Sequence, residues 1–443
     1  MSSLEFLTSD TVKGDSMKNI GLILRQARLQ QNIKQVNLAK GICSVSYLSK
    51  IENNQIQPNQ EIVSELLKKL SMTINEVSYE EELSFLENTQ KLYKEAVLYR
   101  NKKIENEVRD IEHKKIIFND QSNSLSHLLM LSRIYITKGN ELTKVQSVLD
   151  YIELQEVCLS NYQRCLLNIS KCLNAFYQEQ YPAAVEYIEM ALEFHHTIMM
   201  EDWEKADLYN VLAICYLMNN YNYSAIEFAR KALNIYRELV ISNRVIDCYI
   251  NLGIGYKRNF KYKESEESYQ VAYLLLKDRE LFELEGILTQ NLGTLFAVQG
   301  DSEKSIAHFK KSLESNKTTE GYLITIFSIV KEYSKLKDHE NVLKWCKKGL
   351  NLQEIDCKQN YSYYYHFMIF KMIHEESHNL TTVLVKAIKY FESKEDYRHV
   401  QKYATLLAKH YFEVRKMKRA GIYFLLANQA LLTDRKLLKW EDL

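Results

Sequence analysis

The chain has 443 residues, 58 Lys+Arg against 57 Asp+Glu, 12 glycines and two prolines, Pro58 and Pro182. That length exceeds one ordinary core, so several domains or a repeat array are expected, and so few Gly and Pro exclude a β-sandwich, a barrel or a collagenous chain. The nearest approach to an unbroken apolar run is Tyr322–Val330, too short to span a bilayer, and the opening MSSLEFLTSD has no basic stretch or apolar core of an export signal. A cytoplasmic protein is expected.

Catalytic and metal chemistry find no foothold. The eight cysteines form no C-x-x-C, no histidine pair stands beside them at zinc spacing, and none of the phosphate-loop, dinucleotide, zincin or nucleophile-elbow motifs occurs. No enzyme activity, metal or cofactor is therefore expected. Cys158, Cys165 and Cys172 recur every seven residues and are expected as small buried residues on one helical face.

Charge is uneven along the chain. Met17 to Met72 carries eight cations (Lys18, Arg25, Arg28, Lys34, Lys40, Lys50, Lys68, Lys69) and three anions (Glu52, Glu61, Glu65), a surplus of five in a chain whose total is +1. A basic head on a mildly acidic body suits a polyanion at one end. Within the head, helices are predicted over Ile20–Gln30, Gln35–Gly41, Val45–Asn53 and Asn59–Leu70, the last three joined by short breaks at Cys43-Ser44 and Pro58. A short turn between the second and third makes a helix-turn-helix.

Here the residues resemble a known family. LR-x-x-R, the glutamine opening the second helix, LA, YLSKIEN and the proline before the fourth helix are similar to the phage-repressor (Cro/C1, XRE) DNA-binding domain. A third helix in the major groove presents Ser46, Tyr47 and Lys50 to base edges, flanked by Ser44 and Ser49. The resemblance implies that Gln35 contacts phosphate and that Arg28 and Glu52 form an internal salt bridge.

Past Ser71 the chain repeats. Leu212-Ala213, Leu252-Gly253 and Leu292-Gly293 stand 40 residues apart, and Tyr216, Tyr256 and Phe296 keep the same step. Ala184, Ala225, Ser265 and Ser305 follow at 41, 40 and 40, as do Ala191, Ala232, Ala272 and Ser312. Small residues let the two helices of a hairpin approach, and aromatics fill the gap to the next. The pattern resembles a stretched tetratricopeptide repeat, and the span after residue 72 has room for about nine helix pairs in a right-handed superhelix. The fold expected is all-α: a five-helix head, then this array. The expected partition is a 1–16 extension without structure (Met17 being a candidate start), a 17–72 DNA-binding domain, a 73–109 helical linker and start of the array, and a 110–443 peptide-binding array.

In such repeats the first helix of each pair faces the hollow. That places Asp207 and Asn210, then Asp247, Asn251, Lys257 and Arg258, then Gln290 and Asn291 on the inner wall. The amides of Asn210, Asn251 and Asn291 suit peptide bonds, although each asparagine has the alternative of bonding a neighbouring backbone; the aspartates suit an ammonium, and Lys257 and Arg258 a carboxylate.

A repressor-type head on a 40-residue tetratricopeptide array resembles the peptide-pheromone regulators of Gram-positive bacteria, the RRNPP group, and within it the NprR and PlcR branch. The resemblance implies an imported oligopeptide that alters oligomerisation and operator binding, and for the NprR type a second activity, restraint of a sporulation response regulator as Rap proteins exert it. Half-sites about 34 Å apart call for a homodimer or tetramer. The competing expectation is a peptide-switched, Rap-like protein-binding array whose DNA binding is secondary. No membrane partner is expected.

Overall fold

The computed structural model describes residues 20–31, 33–53, 55–70, 79–99, 104–114, 118, 120–138, 142–278, 284–315, 318–355 and 362–434. The expected 1–16 extension lies outside them. Among the described residues all regular structure is helical, and none of the helices is long and apolar enough to cross a membrane. Two compact units divide the chain, residues 1–275 and 276–443.

The first unit opens with α1 (Ile20–Gln30), α2 (Gln35–Ala39), α3 (Val45–Glu52) and α4 (Gln60–Lys69). Leu24, Leu38, Leu48, Ile51, Leu66 and Leu70 are buried together, one or two from each helix. The second helix stops at Ala39 rather than reaching Gly41, because Gly41 turns the chain at φ +84°. Beneath this small core lies the expected ion pair: Arg28 Nε and Nη2 donate to the two Glu52 carboxylate oxygens at 2.6 and 2.8 Å. Two parallel charge-assisted bonds fix the angle between α1 and α3.

The rest of the first unit is stacked hairpins. Its helices are α5 (Tyr79–Tyr99), α6 (Ile104–Lys114), α7 (Gln121–Lys138), α8 (Leu142–Glu153), α9 (Asn161–Tyr177), α10 (Tyr181–His195), α11 (Asp202–Met218), α12 (Asn222–Glu238), α13 (Ser242–Arg258) and α14 (Tyr262–Asp278). The head leans on this stack through Arg25, whose guanidinium lies 4.6 Å from the Tyr151 ring centroid on α8. The second unit continues with α15 (Glu285–Gln299), α16 (Ser302–Ser315), α17 (Thr319–Lys335), α18 (His339–Ile355), α19 (Ser362–His374), α20 (Leu380–Ser393), α21 (Tyr397–Glu413) and α22 (Met417–Asp434). From α5 to α22 the eighteen described helices make nine pairs, including the stretches 85–180 and 321–400 where the repeat signature is weak.

The repeat series have a physical cause. A Cβ on Gly253 would sit 2.3 Å from the Tyr269 ring, and one on Gly293 2.6 Å from Phe309, so each glycine admits an aromatic from the second helix of its own hairpin. Ser265 and Ser305, twelve residues further on, donate their hydroxyls to the Gly253 and Gly293 carbonyls at 2.7 and 2.8 Å. The four hairpins from α9 to α16 turn through a left-handed residue: Glu179, Asn220, Phe260 and Gly300 all have φ between 61° and 86°. The next amide reaches back to the carbonyl five residues earlier, as Tyr221 does to Tyr216, Lys261 to Tyr256 and Asp301 to Phe296 at 2.9–3.0 Å. The last turn of each first helix is thereby closed.

One expectation fails. Cys165 and Cys172 are buried on α9, but Cys158 is exposed. A 3₁₀ turn, Glu156–Cys158, precedes α9, and Ser160 caps the helix with Gln163 in a reciprocal box. The seven-residue rhythm therefore crosses a helix boundary, and Cys158 shares no face with the other two.

Candidate DNA-binding and peptide-binding surfaces

The third helix of the head starts at a serine cap. Ser44 Oγ accepts the Tyr47 amide at 3.1 Å and lies 3.1 Å from Ser46 Oγ. Capping satisfies one of the orphan amides and directs the helix N-terminus outward. Ser44, Ser46 and Lys50 are exposed, while Tyr47 and Ser49 are half-buried, Tyr47 against the head's core. Gln35 is half-buried at the start of α2, and its amide donates to Glu52 Oε2 at 2.7 Å. The glutamine is therefore held by the same carboxylate that binds Arg28, with one amide group committed inside the head.

The first helices of the first unit's hairpins carry a second polar constellation, buried in an otherwise apolar stack. Arg133 Nη2 on α7 donates to Asp207 Oδ2 on α11 at 2.6 Å, both side chains being more than nine-tenths buried. Asn210 Oδ1, one turn along α11, accepts from Asn251 Nδ2 on α13 at 3.0 Å. Arg244 Nη1 pairs with Asp247 at 3.0 Å on that same helix. Burial opposes charge on Arg133, but the Asp207 carboxylate outweighs it and holds the guanidinium above its ordinary value. Arg244 is raised in the same way, burial being overcome chiefly by Asp247. Three buried donors of this region, Arg133 Nε, Arg244 Nε and the Tyr236 hydroxyl, have no protein acceptor.

The structure thus brings Asp207, Asn210, Asp247 and Asn251 into one region, where Asn210 and Asn251 bond each other and the two aspartates bond Arg133 and Arg244. Lys257 is half-buried at the end of α13, and burial with neighbouring Arg258 lowers its ammonium to about 8. Arg258 is exposed and donates to the Leu217 carbonyl. Gln290 and Asn291 belong to the second unit. There Gln290 Oε1 accepts from Thr325 at 3.0 Å, and Asn291 bonds the Ile287 carbonyl of its own helix at 2.9 Å, the backbone alternative open to each asparagine. Arg133 and Arg244 did not emerge from the sequence. The available signal was a lone cation inside the apolar run LLMLSRIYI, where an unpaired charge is too costly to bury. Among the described residues no group of His, Cys, Asp and Glu could hold a metal ion.

Comparison with known proteins places the chain in a family. Residues 24–77 match the helix-turn-helix family HTH_3. The chain is 30% identical over 407 residues to the transcriptional activator NprA of Geobacillus stearothermophilus, covering 89% of this chain and 98% of that protein. Among solved structures, the apo form of the quorum sensor NprR from B. thuringiensis superposes with a TM-score of 0.65 at 18% identity, over 80% of this chain and 99% of that one. A Rap protein complexed with Competence and Sporulation Factor gives 0.64 at 17% identity, over the same shares. NprR in complex with its cognate peptide NprX gives 0.55 at 18%, over 79% and 99%. The structures show a common fold. The matched sequence relative is a regulator of transcription rather than an enzyme. The chain belongs to the family of the transcriptional activator NprA, with an HTH_3 helix-turn-helix at its head followed by stacked helical hairpins.

Proposed function

We propose that this protein is a cytoplasmic, peptide-responsive transcriptional regulator. A short signalling peptide lies along the first helices of the array and alters how protomers associate, and so how pairs of heads meet an operator. The partition is 17–72 for DNA, 73–109 as linker and start of the array, and 110–443 for peptide. One observation carries the reading: Arg133, Asp207, Asn210, Arg244, Asp247 and Asn251 gather on three first helices, α7, α11 and α13, inside an apolar stack. A buried ionic network is often no more stable than a well-packed apolar one, and the donors it leaves without an acceptor, Arg133 Nε and Arg244 Nε, support recognition. A peptide exchanges the wall's internal bonds for bonds to its own backbone and termini. Lys257 and Arg258 receive a carboxylate at the end of α13, and Gln290 and Asn291 bind backbone in the second unit.

At the other surface, Ser46, Tyr47 and Lys50 read bases, Ser44 and Ser49 flank them, and Gln35 meets phosphate. One head makes a small contact, so operator affinity requires two half-sites and a dimer. Peptide can shift the assembly only by as much as its affinity differs between the two states. The NprX and Competence and Sporulation Factor complexes of the structural relatives support a peptide ligand.

Two measurements test the reading. Calorimetry with short secreted peptides encoded beside the regulator should lose binding on Asn251→Ala; unchanged affinity refutes the wall as the site. A binding-site selection with Lys50→Ala should relax preference at one base position, worth about 1–3 kcal/mol. An unchanged selected sequence removes Lys50 as a reader.

A further inference from the structure

The second unit carries a cation cluster that the peptide wall of the first unit does not include. Phe327 and Lys331 stand on α17, His366 on α19, Phe391 on α20, and Arg398, His399, Lys402 and Tyr403 on α21. Four rings stack in series: Phe327 on His366 (4.8 Å, 16°), His366 on Phe391 (5.4 Å, 14°) and Phe391 on His399 (4.9 Å, 28°). Two ammonium groups stand over the end of this stack. Lys331 Nζ lies 5.2 Å and Lys402 Nζ 5.6 Å from the centroid of the one Phe327 ring. The carboxylates close by are already engaged. Glu332 bonds Lys335 at 2.7 Å and Ser302 at 2.8 Å, and Asp396 bonds His399 at 2.7 Å.

Among the described residues no carboxylate pairs with Lys331, Arg398 or Lys402. Burial first, then the other cations, depress both lysines: Lys331 feels Lys335 and Arg398 against the opposing pull of Glu332, and Lys402 feels Lys331 and Arg398. His366, hydrogen-bonded to the Tyr403 hydroxyl, is pushed down to about 2 by burial and these neighbours, so it remains neutral and adds no charge. Cation–π contact is attractive but leaves the charges uncompensated. Rigid helices hold like charges together here, and an anion seated between them removes their repulsion. A low-dielectric aromatic floor favours a single negative charge on an apolar stem over a doubly charged, strongly hydrated ion.

We propose that Lys331 and Lys402, with Arg398 at the rim, form a carboxylate-binding subsite over the Phe327–His366 stack, for an acidic side chain or the C-terminal carboxylate of a peptide. The proposal deepens, and rests on, the reading that first helices of the array take a peptide. It adds that the second unit has its own place for an anionic group.

The test uses the full chain and three labelled tetrapeptides in fluorescence anisotropy: N-acetyl tetraglutamate amide, N-acetyl tetraglutamine amide, and N-acetyl tetraalanine with a free C-terminus. Wild type should prefer one acidic probe to tetraglutamine by roughly tenfold, a charge-assisted bond's worth. Tetraglutamate preferred assigns a side chain; the free acid preferred assigns a C-terminus. Lys402→Ala and Lys331→Gln should each erase most of the preference with unchanged helical circular dichroism. Equal affinity for all three probes, no binding below roughly 1 mM (about −4 kcal/mol), or a preference that survives Lys402→Ala overturns the subsite. The two readings fail separately. If Asn251→Ala leaves secreted-peptide affinity intact while the acidic preference persists, the first-unit wall falls and the subsite stands.

Discussion

Replacing Asp207 by Asn would leave Arg133 charged, buried and without a counter-ion. The pair is 2.6 Å long, Arg133 is 6% and Asp207 3% exposed, and Arg133 Nε already lacks an acceptor. Breaking a buried pair from one side costs about 3–5 kcal/mol. The asparagine oxygen still accepts one hydrogen bond, which places Asp207→Asn near the lower end, about 3 kcal/mol. For a cooperative unit of this size each kcal/mol moves the melting temperature by about 2 °C, so a fall of about 6 °C is expected. The control is Arg133→Met with Asp207→Leu, which removes both charges and should melt within a few degrees of wild type or above it. Circular dichroism melting gives the shift, and hydrogen exchange should locate the loss on α7 and α11. If the single variant melts with wild type, or the double variant falls as far as the single, the buried-charge argument is wrong. Both variants should lose peptide affinity, which separates recognition from stability.

Gly253→Ala should destabilise by about 1–3 kcal/mol, because the new methyl meets the Tyr269 ring at 2.3 Å; Tyr269→Leu in the same chain should restore most of the loss in a melting experiment. Phe260→Gly should stabilise by about 0.5–1 kcal/mol, since Phe260 holds φ 61° and its ring is 80% exposed; a lower melting temperature would contradict it. Burial holds His127 near 3 and His366 near 2 against 6.5 for the free imidazole, so the unfolded chain binds protons that the folded chain does not once pH falls below 6.5. Stability should therefore be full above that pH and decline beneath it by about 1.4 kcal/mol per histidine per pH unit, down to about 3 for His127 and about 2 for His366. His366→Phe should flatten that slope by one proton in acid titrations of the melting temperature.

What the sequence determined is local or repeated. The head's helices and the 40-residue step were legible because helix periodicity, capping residues and glycines at fixed offsets act over a few residues and recur, whereas the Arg28–Glu52 pair was legible only through the resemblance to the phage-repressor head. The Gly253–Tyr269 and Ser265–Gly253 contacts join residues of one hairpin, so each repeat restates them. Recurrence also made the inner-wall asparagines visible, although not what they bond. Tertiary structure decided that Asn251 meets Asn210 while Asn291 returns to its own backbone. It also brought Arg133 to Asp207, 74 residues away, and Lys331 and Lys402 to one Phe327 ring. Cys158 shows the same limit from the other side, since its spacing fits a helix that the Ser160 cap starts only afterwards. Partners so far apart in the chain are chosen by how stacked helices are rotated and offset against one another, and side-chain packing across the whole stack sets that rotation.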